Sequence, residues 1–415
     1  MTDPLSPFEA FAIFCAFTIG GGIMALPMAM SQSGWLLSII VLCAASYYFF
    51  RIYSFLIGLM KQTAKTHMHI VYCDLYGQIF SLCSSVLISG HIYFLLCLMI
   101  IREMKLIRFL LIWTLNYLEF SWLSSTLGDL YIFKPCTVIL LCFLLWLCGS
   151  CRGFKSFSWI PLLNLVVWIY FILLAVRDIL FNDKIKTLSV PAYNYEETDE
   201  IMWCALEAFN SIQGFALLYF DVQNADVTRK IIKYGLWAAL IISSSAAWLG
   251  SSYHLGNLNW LSMAHVGLGS SNLNETPFSW LIFIGLAALT VSFFISIMLV
   301  LNQVRTSLAH LIDYQEKHFH EETYNWSLPL NLFIVLLGVG ALSFTFENYP
   351  LLITVRRIML FIFCVFYPYL IYIKEDGPKL RKILYGLLIA LFLVFVPNIE
   401  IGLKALISND MNKEL

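Results

Sequence analysis

The chain has 415 residues, of which 60% are hydrophobic and only 12% charged, with a mean hydropathy of +0.79. A soluble domain carries about a quarter of its residues as charges, because its surface faces water. That excludes an ordinary water-soluble globule, and a net charge of −1 gives nucleic acid no electrostatic hold.

Apolar blocks separated by charge clusters predict helices crossing a bilayer over 8–29, 35–60, 79–101, 135–151, 159–181, 200–222, 231–254, 278–301, 328–346, 350–373 and 382–404. Blocks of about 20 residues match a hydrocarbon core roughly 30 Å thick. Sequential spans of this length are helical, since a helix satisfies its own backbone groups in lipid. The whole of 1–415 reads as one transmembrane domain. The first block follows acidic rather than basic residues and contains three glycines and a proline, so it reads as a retained span and not a cleaved signal. Residues 106–122, apolar but interrupted by Arg108, Asn116 and Glu119, read as a helix lying at the interface; if they cross, the spans number twelve.

With the N-terminus inside, Lys and Arg are slightly more frequent in the loops predicted inside. The 255–276 loop, without Lys or Arg, and the acidic 190–200 loop are then outward. Sequons at Asn274-Glu-Thr276 and Asn325-Trp-Ser327 fall on opposite sides. The choice between plasma membrane and vacuolar or lysosomal membrane is open.

Polar chemistry concentrates at a few places. The first span carries Thr18-Ile-Gly-Gly-Gly-Ile-Met-Ala-Leu-Pro27 at its centre. Glycine costs about 1 kcal/mol in a helix interior and proline about 3. A break is expected there, and a break inside lipid is tolerated where freed N–H and C=O groups line a cavity. Such groups at a broken helix suit the carboxylate and the ammonium of a zwitterion. The competing account is a kinked, closely packed span. The sixth span has a matching weak point at Ser211-Ile-Gln213-Gly214, beside Asn210 and Glu207. Paired interruptions in corresponding spans point to a midplane site in a five-plus-five inverted repeat, with halves over about 8–181 and 200–373 and an extra helix over about 382–404.

Several single residues have two readings. Glu207 is a proton carrier or a residue at the outer mouth, and His91 is a proton switch or a neutral structural imidazole. Tyr93 closes over a ligand or simply packs. Ser292 and Ser296, four apart on one face, ligate an ion with first-span carbonyls or bond their own helix. The eleven cysteines, including Cys148-Gly-Ser-Cys151, read as packing residues rather than a disulfide or metal framework. The histidines and acids near 310–322 have no metal-site spacing, and HExxH, phosphate-loop and Gly-x-Ser-x-Gly motifs are absent. No metal, cofactor or enzymatic activity is expected.

Gly20-Gly-Gly-Ile-Met-Ala-Leu-Pro27, followed by Met28-Ala-Met-Ser-Gln-Ser-Gly34-Trp35, resembles the opening G-x-G-I-L-x-L-P-x-A-x-x-x-x-G-W of the amino acid/auxin permease family. Gly90-His-Ile-Tyr93, Gln213-Gly214 and Tyr367-Pro-Tyr-Leu370 are weaker echoes along the chain. The resemblance implies an all-α, leucine-transporter-type fold of eleven spans. It also implies amino acid transport, with substrate held at Ile19 through Ile23 and Ser211 through Gly214. The chain departs from the pattern at Phe215, where the family has histidine, and at Asn224, unless Asp221 or Asp226 supplies the acid. Ala16 replaces an asparagine of sodium-coupled relatives, which leaves proton coupling or facilitated diffusion. A sensor of the same fold without net transport is one alternative class, and a membrane-embedded enzyme, which needs a convergent polar cluster within the spans, is another.

Overall fold

The computed structural model describes residues 5–19, 23, 25–63, 78–119, 139–146, 161–181, 190–194, 198–210, 218–219, 222, 224–253, 280–312, 332–338, 355, 358–362 and 386. Eight helices dominate them: α1 (Pro7–Thr18), α2 (Leu26–Ser33), α3 (Trp35–Thr63), α4 (Gln78–Tyr117), α5 (Pro161–Phe181), α6 (Thr198–Phe209), α7 (Ala225–Tyr253) and α8 (Trp280–Ile312). Residues 139–146 and 332–338 are also helical, and no strand occurs among the described residues.

Helix starts follow local chemistry. Ser6 and Glu9 form a reciprocal capping box at α1, with Glu9 N–H donating to Ser6 Oγ at 3.3 Å and Ser6 N–H to Glu9 Oε2 at 2.9 Å. Pro7 occupies the first turn, where a missing N–H costs nothing. Asn224 opens α7 in the same way, its Oδ1 accepting from the N–H groups of Asp226 and Val227 at 3.0 and 3.2 Å. The Asn224 that interrupts the family pattern therefore has a local structural role. Asp226 is exposed and pairs with Arg229 at 3.7 Å, and Asp221 lies outside the described residues.

The first predicted span is two helices, as its glycines and proline require: α1 stops at Thr18 and α2 begins at Leu26, with Pro27 in its first turn. A second departure from continuity lies beside the weak point expected at 211–214, which itself falls outside the described residues. Of the expected 200–222 span, α6 covers residues up to Phe209 and Asn210 is already non-helical. The opposite correction applies to residues 79–122. There α4 runs unbroken for 40 residues, about 60 Å at 1.5 Å per residue, so the stretch from 106 is no separate interfacial helix. Arg102, Lys105 and Arg108 marked that place as a boundary in the sequence, but Lys and Arg are good helix formers. Leu106 is buried and Leu110 packs against the core, which gives the second half of α4 a packed face.

Two apolar clusters hold the helices together. In the larger, α7 packs against α1, α2, α3, α5 and α6, while α5 also meets α1 and α8. The smaller joins α4, α8 and residues of 139–146 and 332–338. Close approach of α1 to α7 depends on Gly235, where an added Cβ would clash with the Phe14 ring. Gly235→Val is expected to destabilise the fold by about 1–3 kcal/mol through overpacking. Thermal unfolding of the purified protein measures this, and the same substitution should cost less in a Phe14→Ala background, judged against Phe14→Ala alone.

The outward faces are apolar too. On α5 the residues Val167, Trp168, Phe171 and Leu174 are buried, yet the opposite face presents Leu163, Val166, Ile169 and Leu173, the last 61% exposed. On α7 the exposed stripe is Trp237, Ile241 and Trp248. A helix apolar all round, on the outside of a bundle, is suited to lipid and not to water. Trp35–Gly58, Ala225–Ser251 and Phe283–Leu301 are long and apolar enough to cross a membrane. The all-helical described chain is consistent with a membrane protein.

The corner between α2 and α3 is closed by a distant segment. Gly34 takes φ +98°, and Trp35 and Leu36 N–H groups donate to the carbonyls of Pro191 and Ala192, both at 3.1 Å. Asn194 N–H returns a bond to Ser33 O at 2.7 Å. The loops expected to share one side of the membrane are thus hydrogen-bonded to each other.

Candidate functional site

The last carbonyls of a helix have no partner within it and carry the negative end of its dipole. At the end of α1 they are met by a side chain from α5. Asn164 Nδ2 donates to Ile19 O at 3.0 Å and reaches Ala16 O at 3.4 Å. Asn164 Oδ1 in turn accepts from Ser292 Oγ of α8 through a short hydrogen bond. The bridge joins α1, α5 and α8 through groups closed to solvent, since Asn164 and Ser292 are each 1% exposed. Burying such groups is costly unless they are bonded, and here the amide uses both its ends.

The two serines of α8 therefore divide between their two readings. Ser296 Oγ bonds the carbonyl of Ser292, four residues back, at 3.2 Å, as an ordinary serine within a helix does. Ser292 instead reaches across to Asn164, and through it to the first-span carbonyls. Ser292 and Ile19 are brought together by a residue that the sequence reading assigned no role. Its signal was available: Asn164 is the single amide within an otherwise apolar 161–176 stretch, and a polar group there needs a partner or a function.

Ile19 and Ile23 flank the break between α1 and α2 and are fully buried in the larger cluster. Gly20, Gly21 and Gly22 lie outside the described residues, as do Ser211, Gln213 and Gly214. The end of α6 that leads to Ser211 is placed by α3: Tyr53 O–H donates to the Phe209 carbonyl at 3.0 Å. Glu207 is in the last turn of α6, half-buried, with Asn210 N–H on its backbone carbonyl at 3.4 Å. Since α2 packs on α6, the helix following the first break adjoins the helix preceding residues 211–214. Tyr93 belongs elsewhere. It packs half-buried against the smaller cluster, whereas Ile19 and Ile23 are in the larger. The side chain of His91 is outside the described set.

Chemically, the end of α1 offers backbone carbonyls at a negative helix pole, and a neutral amide N–H now satisfies them. A cationic group arriving at the break would compete for the same acceptors with a charge-assisted bond.

What the fold and site define is a class: a chain all-helical over its described residues, with apolar outer faces and a buried, interrupted helix braced by polar side chains. Compared with known proteins, the chain matches no family model and no curated protein.

Proposed function

We propose that the chain is a secondary amino acid transporter that works by alternating access, folded as a five-plus-five inverted repeat with an eleventh helix. In this reading repeat one covers about 8–181, repeat two about 200–373, and the extra helix about 382–404. The observation that carries it is the interrupted first helix, whose terminal carbonyls are held inside the bundle by Asn164 and, through it, Ser292. Irregular backbone at such a place is tolerated where it lines a binding cavity. The substrate is an amino acid zwitterion, its ammonium drawn to carbonyls around Ile19 and its carboxylate to N–H groups at the start of α2. Multi-pass insertion and proton coupling belong to the same proposal.

The test is uptake of a labelled amino acid mixture into proteoliposomes of the purified chain, with and without an imposed pH gradient. Accumulation that collapses with the gradient supports a proton-coupled carrier. Gly21→Val is expected to abolish that uptake at normal abundance in the membrane, because a branched side chain replaces the glycine of the break. Unchanged uptake by this variant counts against the site. Ligand binding without flux under any gradient turns the reading into a sensor of the same fold.

A further inference from the structure

Glu103 of α4 is 1% exposed, and its Oε2 is buried without a hydrogen-bond partner. It stands on the seam between the two apolar clusters. Ile100, three residues before it, belongs to the smaller cluster, and Leu106, three residues after it, to the larger. Residues three apart on a helix are neighbours on one face. Among the eight helices, α8 is the one packed most extensively against α4, and from Trp280 to Leu301 it has no ionisable side chain at all. Its charged or titratable residues, Arg305 and His310, come after that stretch, and their side chains are outside the described set. The other titratable groups described in the smaller cluster are the Cys97 and Cys142 thiols and the Tyr93 phenol, none of them cationic at neutral pH. On α4 itself the side chains of Arg102, Lys105 and Arg108 are not among those described.

A carboxylate closed off from water with an unpaired oxygen is costly enough that the group stays neutral instead. A neutral acid at a helix interface is a stored proton. Rotation or tilting of α4 against α8 would open the seam to water and change the balance between acid and carboxylate.

We propose that Glu103 is the proton-binding group of the transport cycle: the acid while the seam between α4 and α8 is closed, releasing its proton to water when the seam opens. This rests on the transporter reading and deepens it. It also moves the coupling role away from His91 and Glu207.

The experiment uses the full chain in lipid vesicles and has two readouts. Infrared spectroscopy at neutral pH should show the carbonyl stretch of a protonated, weakly bonded carboxyl group, and E103Q should remove it. In transport, E103Q should still exchange labelled for unlabelled substrate, but the exchange should no longer vary with pH and a pH gradient should drive no accumulation. Glu103→Asp, which keeps an acid, should recover part of the accumulation and so separate proton binding from simple packing. Absence of the infrared band overturns the proposal, while uptake by the unaltered chain would leave the transporter reading standing. A band with E103Q accumulating as the unaltered chain does makes Glu103 a structural acid and also overturns it. A band with no flux by the unaltered chain overturns the transporter reading, and the proton role with it.

Discussion

Gly34→Ala is expected to cost the fold about 3 kcal/mol or more, from backbone strain of about 1–3 kcal/mol and overpacking of similar size. The cause is twofold. Gly34 sits at φ +98° and ψ 150°, a region that residues with a Cβ avoid. An alanine Cβ would also lie 2.6 Å from both the Cα and the nitrogen of Tyr193. Those are backbone atoms, so truncating the Tyr193 side chain to glycine should bring no relief. Gly90 provides the contrast, since a Cβ there meets nothing within 4 Å. Gly90→Ala should therefore be neutral or stabilising, by up to about 1 kcal/mol from helix propensity. Thermal unfolding of the two variants in the same detergent decides the matter. Equal behaviour would mean that the corner at Gly34 is not held as described.

Asn164→Leu should be the next most damaging change, at about 2–4 kcal/mol, because it removes three buried hydrogen bonds and leaves the Ile19 carbonyl and the Ser292 hydroxyl unpaired. Ser292→Ala removes one bond and should cost about 1 kcal/mol. The two losses should not add, since both variants disconnect the same bridge. Unfolding measurements on both single variants and the double variant give the coupling directly. An Asn164→Leu protein as stable as its parent would show that the α1 terminus does not depend on α5.

Those two sites differ in how far the sequence could reveal them. The interruption after Thr18 was legible, because consecutive glycines and a following proline act locally on helix propensity. Gly34 was visible as half of a Gly-Trp pair, but its reason was not: the backbone that demands glycine belongs to Tyr193, which no local pattern connects to it. The brace at Asn164 was hidden for the same cause, as its partners Ile19 and Ser292 are on other helices. Within α4, charge misled. Arg102, Lys105 and Arg108 fall at the edge of an apolar block, and Glu103 lies among them. Only packing distinguishes a buried acid from a basic residue beside it, and packing on α8 is tertiary information. Serine periodicity had limited power, for it put Ser292 and Ser296 on one face without saying which would look outward to another helix.

The polar joints of the first three helices also set a timetable for synthesis. Tyr53 bonds a carbonyl 156 residues later, and Ile19 accepts from an amide 145 residues later. At roughly 5–20 residues per second, translation delivers those partners about 7–30 seconds after the early helices emerge. For that interval α1 has an unsealed end and the α2–α3 corner has no clasp. The ribosome thus releases the front of the molecule long before its fasteners exist, and a chaperone or the insertion machinery has its natural window of contact there.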